Sequence, residues 1–177
     1  MLKPAAFLDR DGVINVDKGY VYKIEEFEWI NGAVDAIKLL AGNNYHVFVV
    51  SNQPGIARGI YNEKDVLRLH EYINSELRKI NAHIDEFFIS PYHPMIPNKF
   101  EKFINLRKPN VGMLELAASR WLIDKKNSFL IGDKATDIEC AKNYGIRGHL
   151  FNDGNLLDFI KKSENLKNLF DRINFFE

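Results

Sequence analysis

Ala5-Ala6-Phe7-Leu8-Asp9-Arg10-Asp11-Gly12 decides how this chain is read. Four apolar residues run straight into an acid, a base, a second acid and a glycine. A short apolar run closed by polar residues reads as a buried strand, which puts the acids at its carboxyl end. The same order recurs downstream. His46-Val47-Phe48-Val49-Val50 leads into Ser51-Asn52-Gln53, and Phe129-Leu130-Ile131 leads into Gly132-Asp133-Lys134. Between these runs, apolar residues fall three and four apart, as on one face of a helix. Asn31 to Leu40 carries Ala33, Ile37 and Leu40, with Gly42 as a stop; about Glu63 to Lys79 carries Val66, Leu69, Ile73 and Leu77, with Ile80 just beyond. Gly112 to Leu122 and Thr136 to Tyr144 are helical, the latter closed by Gly145. Glu86-Phe87-Phe88-Ile89 is another strand, Gly148-His149-Leu150-Phe151 a weak last one, and Leu156 to Phe170 a final helix.

Strands alternating with helices predict an α/β fold. The expected form is a doubly wound, mostly parallel, Rossmann-like sheet with right-handed crossovers. Ligands of such sheets gather beyond the carboxyl ends of the strands. Asp9, Ser51 and Asp133 are therefore expected to converge although they are far apart in sequence. The 177 residues suit one domain spanning 1–177 with no large cap domain. Two connections are long, Val13 to about Ile30 and Ser90 to Pro109, and such loops usually serve the site.

Composition removes several classes. Lys and Arg number 24 and Asp and Glu number 24, so the chain lacks the basic excess of a nucleic-acid binder. No apolar run approaches the ~18–20 residues that cross a bilayer. Met1-Leu2-Lys3-Pro4 leads directly into the first strand, leaving no room for a signal peptide. A cytoplasmic protein with no membrane partner is expected. The single cysteine, Cys140, excludes an internal disulfide framework and a Cys-rich zinc site. No interface stripe stands out, and a monomer is expected.

Asp9 and Asp11 lie two apart, so in extended chain they point to the same side. Two bare carboxylates there would repel, and a divalent cation removes the conflict. Mg²⁺ takes oxygen ligands and keeps several waters. Asp9 reads as nucleophile and metal ligand. Asp11 reads as general acid/base, with its backbone carbonyl reaching the metal. It must start protonated to serve a departing alkoxide, a state that the Asp9 charge favours. A carboxylate attacking phosphorus gives an acyl-phosphate enzyme. The transferring group spreads negative charge over its oxygens and needs fixed donors and cations. Ser51 offers a hydroxyl, Lys108 a point charge, and Asp133 completes the metal shell. Arg107 has a planar fork suited to a second phosphate or a pair of sugar hydroxyls.

Each motif has a plain alternative. An isolated Asp-x-Asp is common in acidic loops, Gly-Asp after a strand is often a turn, Ser-Asn-Gln can open a helix, and Arg-Lys-Pro is usually solvated. Four such motifs in this order, three of them at strand ends, favour catalysis. Asp137 reads as support for the metal or as a helix cap, with the former preferred. His93 reads as a loop hydrogen-bonder, and the Phe170 to Phe176 tail as packing or a contact surface.

These motifs resemble those of the haloacid dehalogenase superfamily of aspartate-dependent phosphohydrolases. Phe7 to Gly12, Ile14-Asn15, Gly19-Tyr20-Val21, Ser51 to Gly59, Arg107-Lys108-Pro109 with Gly112-Met113-Leu114, and Gly132-Asp133-Lys134 narrow the likeness. Together they look like the D-glycero-D-manno-heptose 1,7-bisphosphate phosphatase subgroup. The resemblance implies Asp9 as nucleophile, Asp11 as proton donor, and Ser51 and Lys108 steadying the phosphoryl group. It implies Mg²⁺ held by Asp9, Asp11 and Asp133. Substrate contacts fall to Asp17, Gly19, Tyr20, Asn52, Gln53, Arg58, Arg107 and Lys134. The implied partner is a small phosphorylated sugar and the implied reaction removes its C7 phosphate, on the way to nucleotide-activated heptose for surface polysaccharide. Histidinol-phosphate phosphatases and polynucleotide 3′-phosphatases share similar motifs, and a non-catalytic phosphosugar-binding module is a further alternative. One departure stands out. The subgroup commonly carries a zinc loop, Cys-x-His then Cys-x-Cys, where this chain has Ser90, Tyr92, Ile104 and Leu106. None is a good zinc ligand. The loop is expected to be free of zinc and pinned instead by burial of Ile104 and Leu106, with Phe100 and Phe103.

Overall fold

The computed structural model describes residues 2–96 and 99–163. Its elements follow one another as β1 (Ala5–Leu8), α1 (Ala33–Gly42), β2 (His46–Asn52), α2 (Glu63–Arg78) and β3 (Glu86–Ser90). Then come α3 (Gly112–Arg120), β4 (Phe129–Gly132), α4 (Ala135–Tyr144), β5 (Arg147–Leu150) and α5 (Leu156–Lys162). The five strands form one parallel sheet in the order β3-β2-β1-β4-β5.

Alternation along β1 explains why this strand is central. Ala6 and Leu8 enter the apolar layer shared with α1, α2 and α5, whereas Ala5 and Phe7 enter the layer shared with α3 and α4. A strand buried on both faces has no polar side, so its sequence is a continuous apolar run. Register then sets the site. Leu8 lies level with Val49 of β2 and Ile131 of β4. Asp9 follows one step on, with its N–H donating to the Ile131 carbonyl at 2.9 Å. The winding reverses at β1, since β2 and β3 extend the sheet one way and β4 and β5 the other. That reversal opens the crevice where ligands of such sheets bind.

Several boundaries differ from expectation. Helix α1 starts at Ala33 and includes Gly42; the chain leaves it through Asn43 and Asn44, the latter at φ 62°. Helix α2 ends at Arg78, and its start is fixed by Asn62, whose side chain accepts from the Lys64 and Asp65 N–H groups. Helix α4 begins one residue early, and Gly145 closes it in a left-handed turn. Helix α5 ends at Lys162; its expected extension and the Phe170 to Phe176 tail lie outside the described residues. The two long connections carry short 3₁₀ turns at Ile24–Glu26 and Glu101–Leu106. Among the described residues no helix is long and apolar enough to cross a membrane.

Candidate active site

The chain leaves β1 through Asp9, which is almost completely buried. Its Oδ1 accepts the Arg10 N–H at 2.7 Å and lies 3.0 Å from Lys108 Nζ. Lys108 is buried too, and its ammonium reaches Asp137 Oδ1 at 2.6 Å and donates to the Val50 carbonyl at 2.7 Å. Asn52, the last residue of β2, places this lysine. Its amide donates to the Lys108 carbonyl at 3.1 Å and accepts the Lys108 N–H at 3.0 Å. Asn52 lines the cleft, as expected of a pocket residue, and its amide also clamps the backbone of the loop that carries the cation.

Asp137 sits in the first turn of α4, where its Oδ2 accepts the Lys134 N–H at 3.0 Å. It therefore caps the helix and faces the site at once. Gly132 lets it come close, because a Cβ there would lie 2.1 Å from the Asp137 side chain. Gly12 is tied in the same way to Asp133. It holds φ +85°, and a Cβ would sit 2.4 Å from Asp133 Oδ2.

Asp9, Asp133 and Asp137 each offer a carboxylate oxygen, and the three oxygens lie within 4.8 Å of one another. Oδ1 of Asp133 is buried without a hydrogen-bond partner. Burial pushes Asp9 up to about 7, Lys108 working against the shift and Asp137 adding to it. Burial likewise raises Asp133, with the Lys134 charge opposing. For Lys108, burial disfavours the ammonium, but Asp9 and Asp137 outweigh it and hold the pKa above its ordinary value. The buried Lys108 ammonium meets Asp9 and Asp137, and the more exposed Lys134 lies 3.6 Å from Asp133; three carboxylates converging here make a set that a divalent cation fits. All three donors are hard oxygens, as Mg²⁺ requires.

The Asp11 side chain lies apart from this cluster. It accepts from Arg10 Nη2 at 2.9 Å to both oxygens, from Asn15 Nδ2 at 2.9 Å and from Gln53 Nε2 at 3.0 Å. The third carboxylate of the cluster is thus Asp137, which the sequence reading kept in support; Asp11 was expected to reach the metal through its backbone carbonyl, not its side chain.

Gln53 is committed to the interior as well. Its Nε2 also donates to Ser51 Oγ at 2.9 Å, and its Oε1 accepts from the Tyr61 hydroxyl at 2.6 Å. Tyr61 stacks on Tyr22 at 5.0 Å between ring centroids, and burial raises its hydroxyl to about 12. Above these groups opens a cleft of about 220 Å³. Asp9, Asp11, Ser51, Asn52, Gln53 and Lys108 line it, together with Asp17, Gly19 and Tyr20 of the first long loop, Asp137 and Lys134. Lys134 Nζ lies 3.3 Å from Asp17 and ties that loop to the end of β4.

Arg58 and Arg107 stand outside the cleft lining. Arg107 Nη1 donates to the Tyr92 carbonyl at 3.1 Å, and Arg58 Nη2 meets His93 Nε2 at 3.0 Å. The Arg58 guanidinium also lies 5.8 Å from the centre of the Tyr20 ring. Burial and both arginine charges lower the His93 pKa. The rim is therefore cationic. Nearby, Phe100 packs with Ile56, Tyr61 and Val66, and Leu106 packs against the layer under α3. Ile104 is 47% exposed, so this residue does not pin the loop as expected.

Sequence reasoning missed Tyr61, Asn15 and Arg10. Tyr61 carried a weak signal, an aromatic just after the Gly55 to Gly59 turn. Arg10 carried none, because an arginine between two aspartates reads as solvated.

A parallel sheet with acids and a buried lysine at the end of its central strand defines a hydrolase of the haloacid dehalogenase type. A family model described as HAD-hydrolase-like matches residues 105–167. The chain is 40% identical over 161 residues to the D-glycero-beta-D-manno-heptose-1,7-bisphosphate 7-phosphatase of Rhodopseudomonas palustris, covering 90% of this chain and 89% of that one. It is 37% identical to the D-glycero-alpha-D-manno-heptose-1,7-bisphosphate 7-phosphatase of Campylobacter jejuni, covering 100% of this chain and 98% of the relative. The crystal structure of D,D-heptose 1,7-bisphosphate phosphatase from B. bronchiseptica, complexed with magnesium and phosphate, superimposes with a TM-score of 0.77 at 23% identity. That match covers 97% of this chain and 99% of the other and shows a shared fold. The chain belongs to the heptose-1,7-bisphosphate 7-phosphatase family of haloacid dehalogenase-type phosphatases.

Proposed function

We propose that the protein is a magnesium-dependent phosphatase that removes the C7 phosphate of D-glycero-D-manno-heptose 1,7-bisphosphate through an aspartyl-phosphate on Asp9. Its product would feed the making of nucleotide-activated heptose. The supporting observation is the buried Asp9 beside Lys108, 3.0 Å apart, at the foot of a cleft on the carboxyl side of the sheet. Identities of 37–40% to relatives named for this activity support the substrate.

Asp9, Asp133 and Asp137 would hold the magnesium, with the Asp11 backbone carbonyl as a further oxygen donor. Bound there, the ion supplies positive charge against the phosphoryl oxygens. An Asp9 carboxylate oxygen attacks phosphorus as the bond from phosphorus to the C7 oxygen breaks. Lys108 and the Ser51 hydroxyl steady the equatorial oxygens. Asp11 gives its proton to the departing alkoxide. A water then attacks the aspartyl-phosphate, Asp11 takes its proton, and phosphate leaves with Asp9 restored. Asp17, Gly19, Tyr20 and Lys134 face the sugar, and Arg107 with Arg58 at the rim meets the C1 phosphate. Asn52 and Gln53 line the cleft and also hold Lys108, Ser51 and Asp11 in place. In this reading residues 1–177 work as one cytoplasmic, monomeric and zinc-free domain.

Phosphate release tests the proposal on both anomers of the heptose bisphosphate, histidinol phosphate and a 3′-phosphorylated oligonucleotide, with Mg²⁺ present. Highest kcat/KM on one heptose anomer is expected. Preference for histidinol phosphate would replace the substrate, and inactivity on all four would make the chain a binding module.

A further inference from the structure

Arg10 is completely buried, yet it is absent from the cleft lining and the chemistry above does not use it. A single nitrogen, Nη2, donates to both Asp11 oxygens at 2.9 Å and to the Val21 carbonyl at 2.6 Å. Nε and Nη1 are buried with no hydrogen-bond partner. Around the guanidinium, His70 is buried and stacked on Phe87 at 4.1 Å, and it offers no negative charge.

Such a side chain is a poor choice for stability. Burying a cation with two unpartnered nitrogens, three N–H bonds in all, is unfavourable. What the arrangement does provide is a fixed distance. Val21 ends the loop segment that carries Asp17, Gly19 and Tyr20 into the cleft. Arg10 ties that segment to the Asp11 carboxylate, while Asn15 and Gln53 hold the same carboxylate from other sides. A carboxyl group aimed by three donors has little freedom to drift from its proton-transfer path, and small misplacements there are expensive in rate.

We propose that Arg10 is a positioning residue for proton transfer. It locks Asp11 in register with the substrate loop so that the proton is delivered when the sugar is in place. The inference rests on the reading of Asp11 as general acid/base, and the experiment separates the two. A sugar alkoxide is a poor leaving group that needs a proton, whereas nitrophenolate leaves without one. Single-turnover phosphoryl transfer to the Mg²⁺-loaded enzyme is measured with heptose 1,7-bisphosphate and with p-nitrophenyl phosphate. The proteins compared are wild type, Asp11→Asn, Arg10→Met and Arg10→Lys.

Asp11→Asn should lose roughly 10²–10⁴-fold on the sugar and far less on the aryl ester. Arg10→Met should follow the same pattern, losing at least about tenfold more on the sugar than on the aryl ester. Arg10→Lys, which keeps a cation there, should recover part of the difference. If Arg10→Met does not fold by circular dichroism, Arg10→Lys carries the comparison, with a smaller loss confined to the sugar. Equal losses on both substrates in the folded Arg10 variants, with Asp11→Asn still selective, would reduce Arg10 to a structural residue. No selectivity in Asp11→Asn itself would remove the acid/base reading and this inference with it.

Discussion

Lys108 lies 3.0 Å from Asp9, and both side chains are buried at the foot of the cleft. Lys108 also faces Asp137 at 2.6 Å, so its removal leaves two buried acids without their cation. Breaking a buried ion pair from one side destabilises by about 3–5 kcal/mol. Lys108→Met should therefore lower metal-free stability by about that amount in urea unfolding, besides abolishing turnover. In an Asp9→Asn background the same substitution should be milder by about 0.5–3 kcal/mol, because one of the stranded charges has gone. Strictly additive losses would show that the two residues are not coupled.

Asp9 also sets a pH dependence. Burial pushes it up to about 7 from the 3.8 of the free side chain. Between those values the folded protein keeps a proton that the unfolded chain has released. The stability from this site is thus complete below about pH 4 and is lost as pH rises through about 7. Asparagine does not titrate. In EDTA, Asp9→Asn should gain on wild type by on the order of 1 kcal/mol per pH unit across that window, then level off. A difference that stays flat with pH would mean that Asp9 is already ionised throughout.

Three acids of the cluster are placed to hold magnesium, and Asp11 is not among them. Asp9, Asp133 and Asp137 bring oxygens within 4.8 Å of one another, whereas the Asp11 carboxylate is turned towards Arg10, Asn15 and Gln53. Mg²⁺ at a hundred times its Kd should stabilise wild type by about 2.7 kcal/mol, and chelation should stop turnover. Asp133→Asn and Asp137→Asn should each remove most of that stabilisation, and Asp11→Asn very little. Loss of the Mg²⁺ shift in Asp11→Asn, with Asp137→Asn unaffected, would put the Asp11 carboxylate in the metal shell in place of Asp137.

What the sequence made legible was whatever a short run encodes by itself. Phe7-Leu8 and Val47 to Val50 are apolar because both sheet faces are covered, so strand and site position came together. Asp137 was harder to place, because a helix cap and a metal-facing acid look alike until Gly132 is seen to admit its side chain. Asn52 and Gln53 were assigned to the substrate pocket by resemblance, and both line the cleft. Only the fold shows that the Asn52 amide meets Lys108, fifty-six residues away, and that Gln53 meets Asp11 and Tyr61. Such contacts join segments with no shared local pattern. Arg10 failed for the opposite reason: its neighbours predict solvent, and its burial depends on the loop that folds over it at Val21.

Zinc provides a separate check on the second long loop. Ser90 is buried at the end of β3, Leu106 packs under α3, and Phe100 closes over Ile56, Tyr61 and Val66. With packing in place of ligands, elemental analysis of the purified protein should find essentially no zinc. Chelators selective for zinc should leave activity and melting temperature unchanged, while Phe100→Ala should loosen the loop at about 3–5 kcal/mol if the cavity stays open. Stoichiometric zinc would show that other side chains of this chain supply the ligands.

The rim arginines make the final prediction. Arg107 is half-buried, its fork occupied on one side by the Tyr92 carbonyl, and Arg58 sits across His93 from it. Neither lines the cleft in which phosphoryl transfer is proposed, so neither should matter to a substrate that ends at the reacting phosphate. A bisphosphate that reaches the rim with its second phosphate would use both. Truncating a charge-assisted contact of this kind forfeits about 1.5–3 kcal/mol, which is roughly 10–150-fold in kcat/KM. Arg107→Ala should therefore reduce kcat/KM for the heptose bisphosphate by that factor, mainly through KM, while p-nitrophenyl phosphate stays within about twofold of wild type. Arg107→Lys should recover only part of the loss, because a point charge cannot bond the Tyr92 carbonyl and a phosphate as a planar fork can. Equal losses on the two substrates would place Arg107 in the support of Lys108, its neighbour in the chain, and take it out of substrate selection.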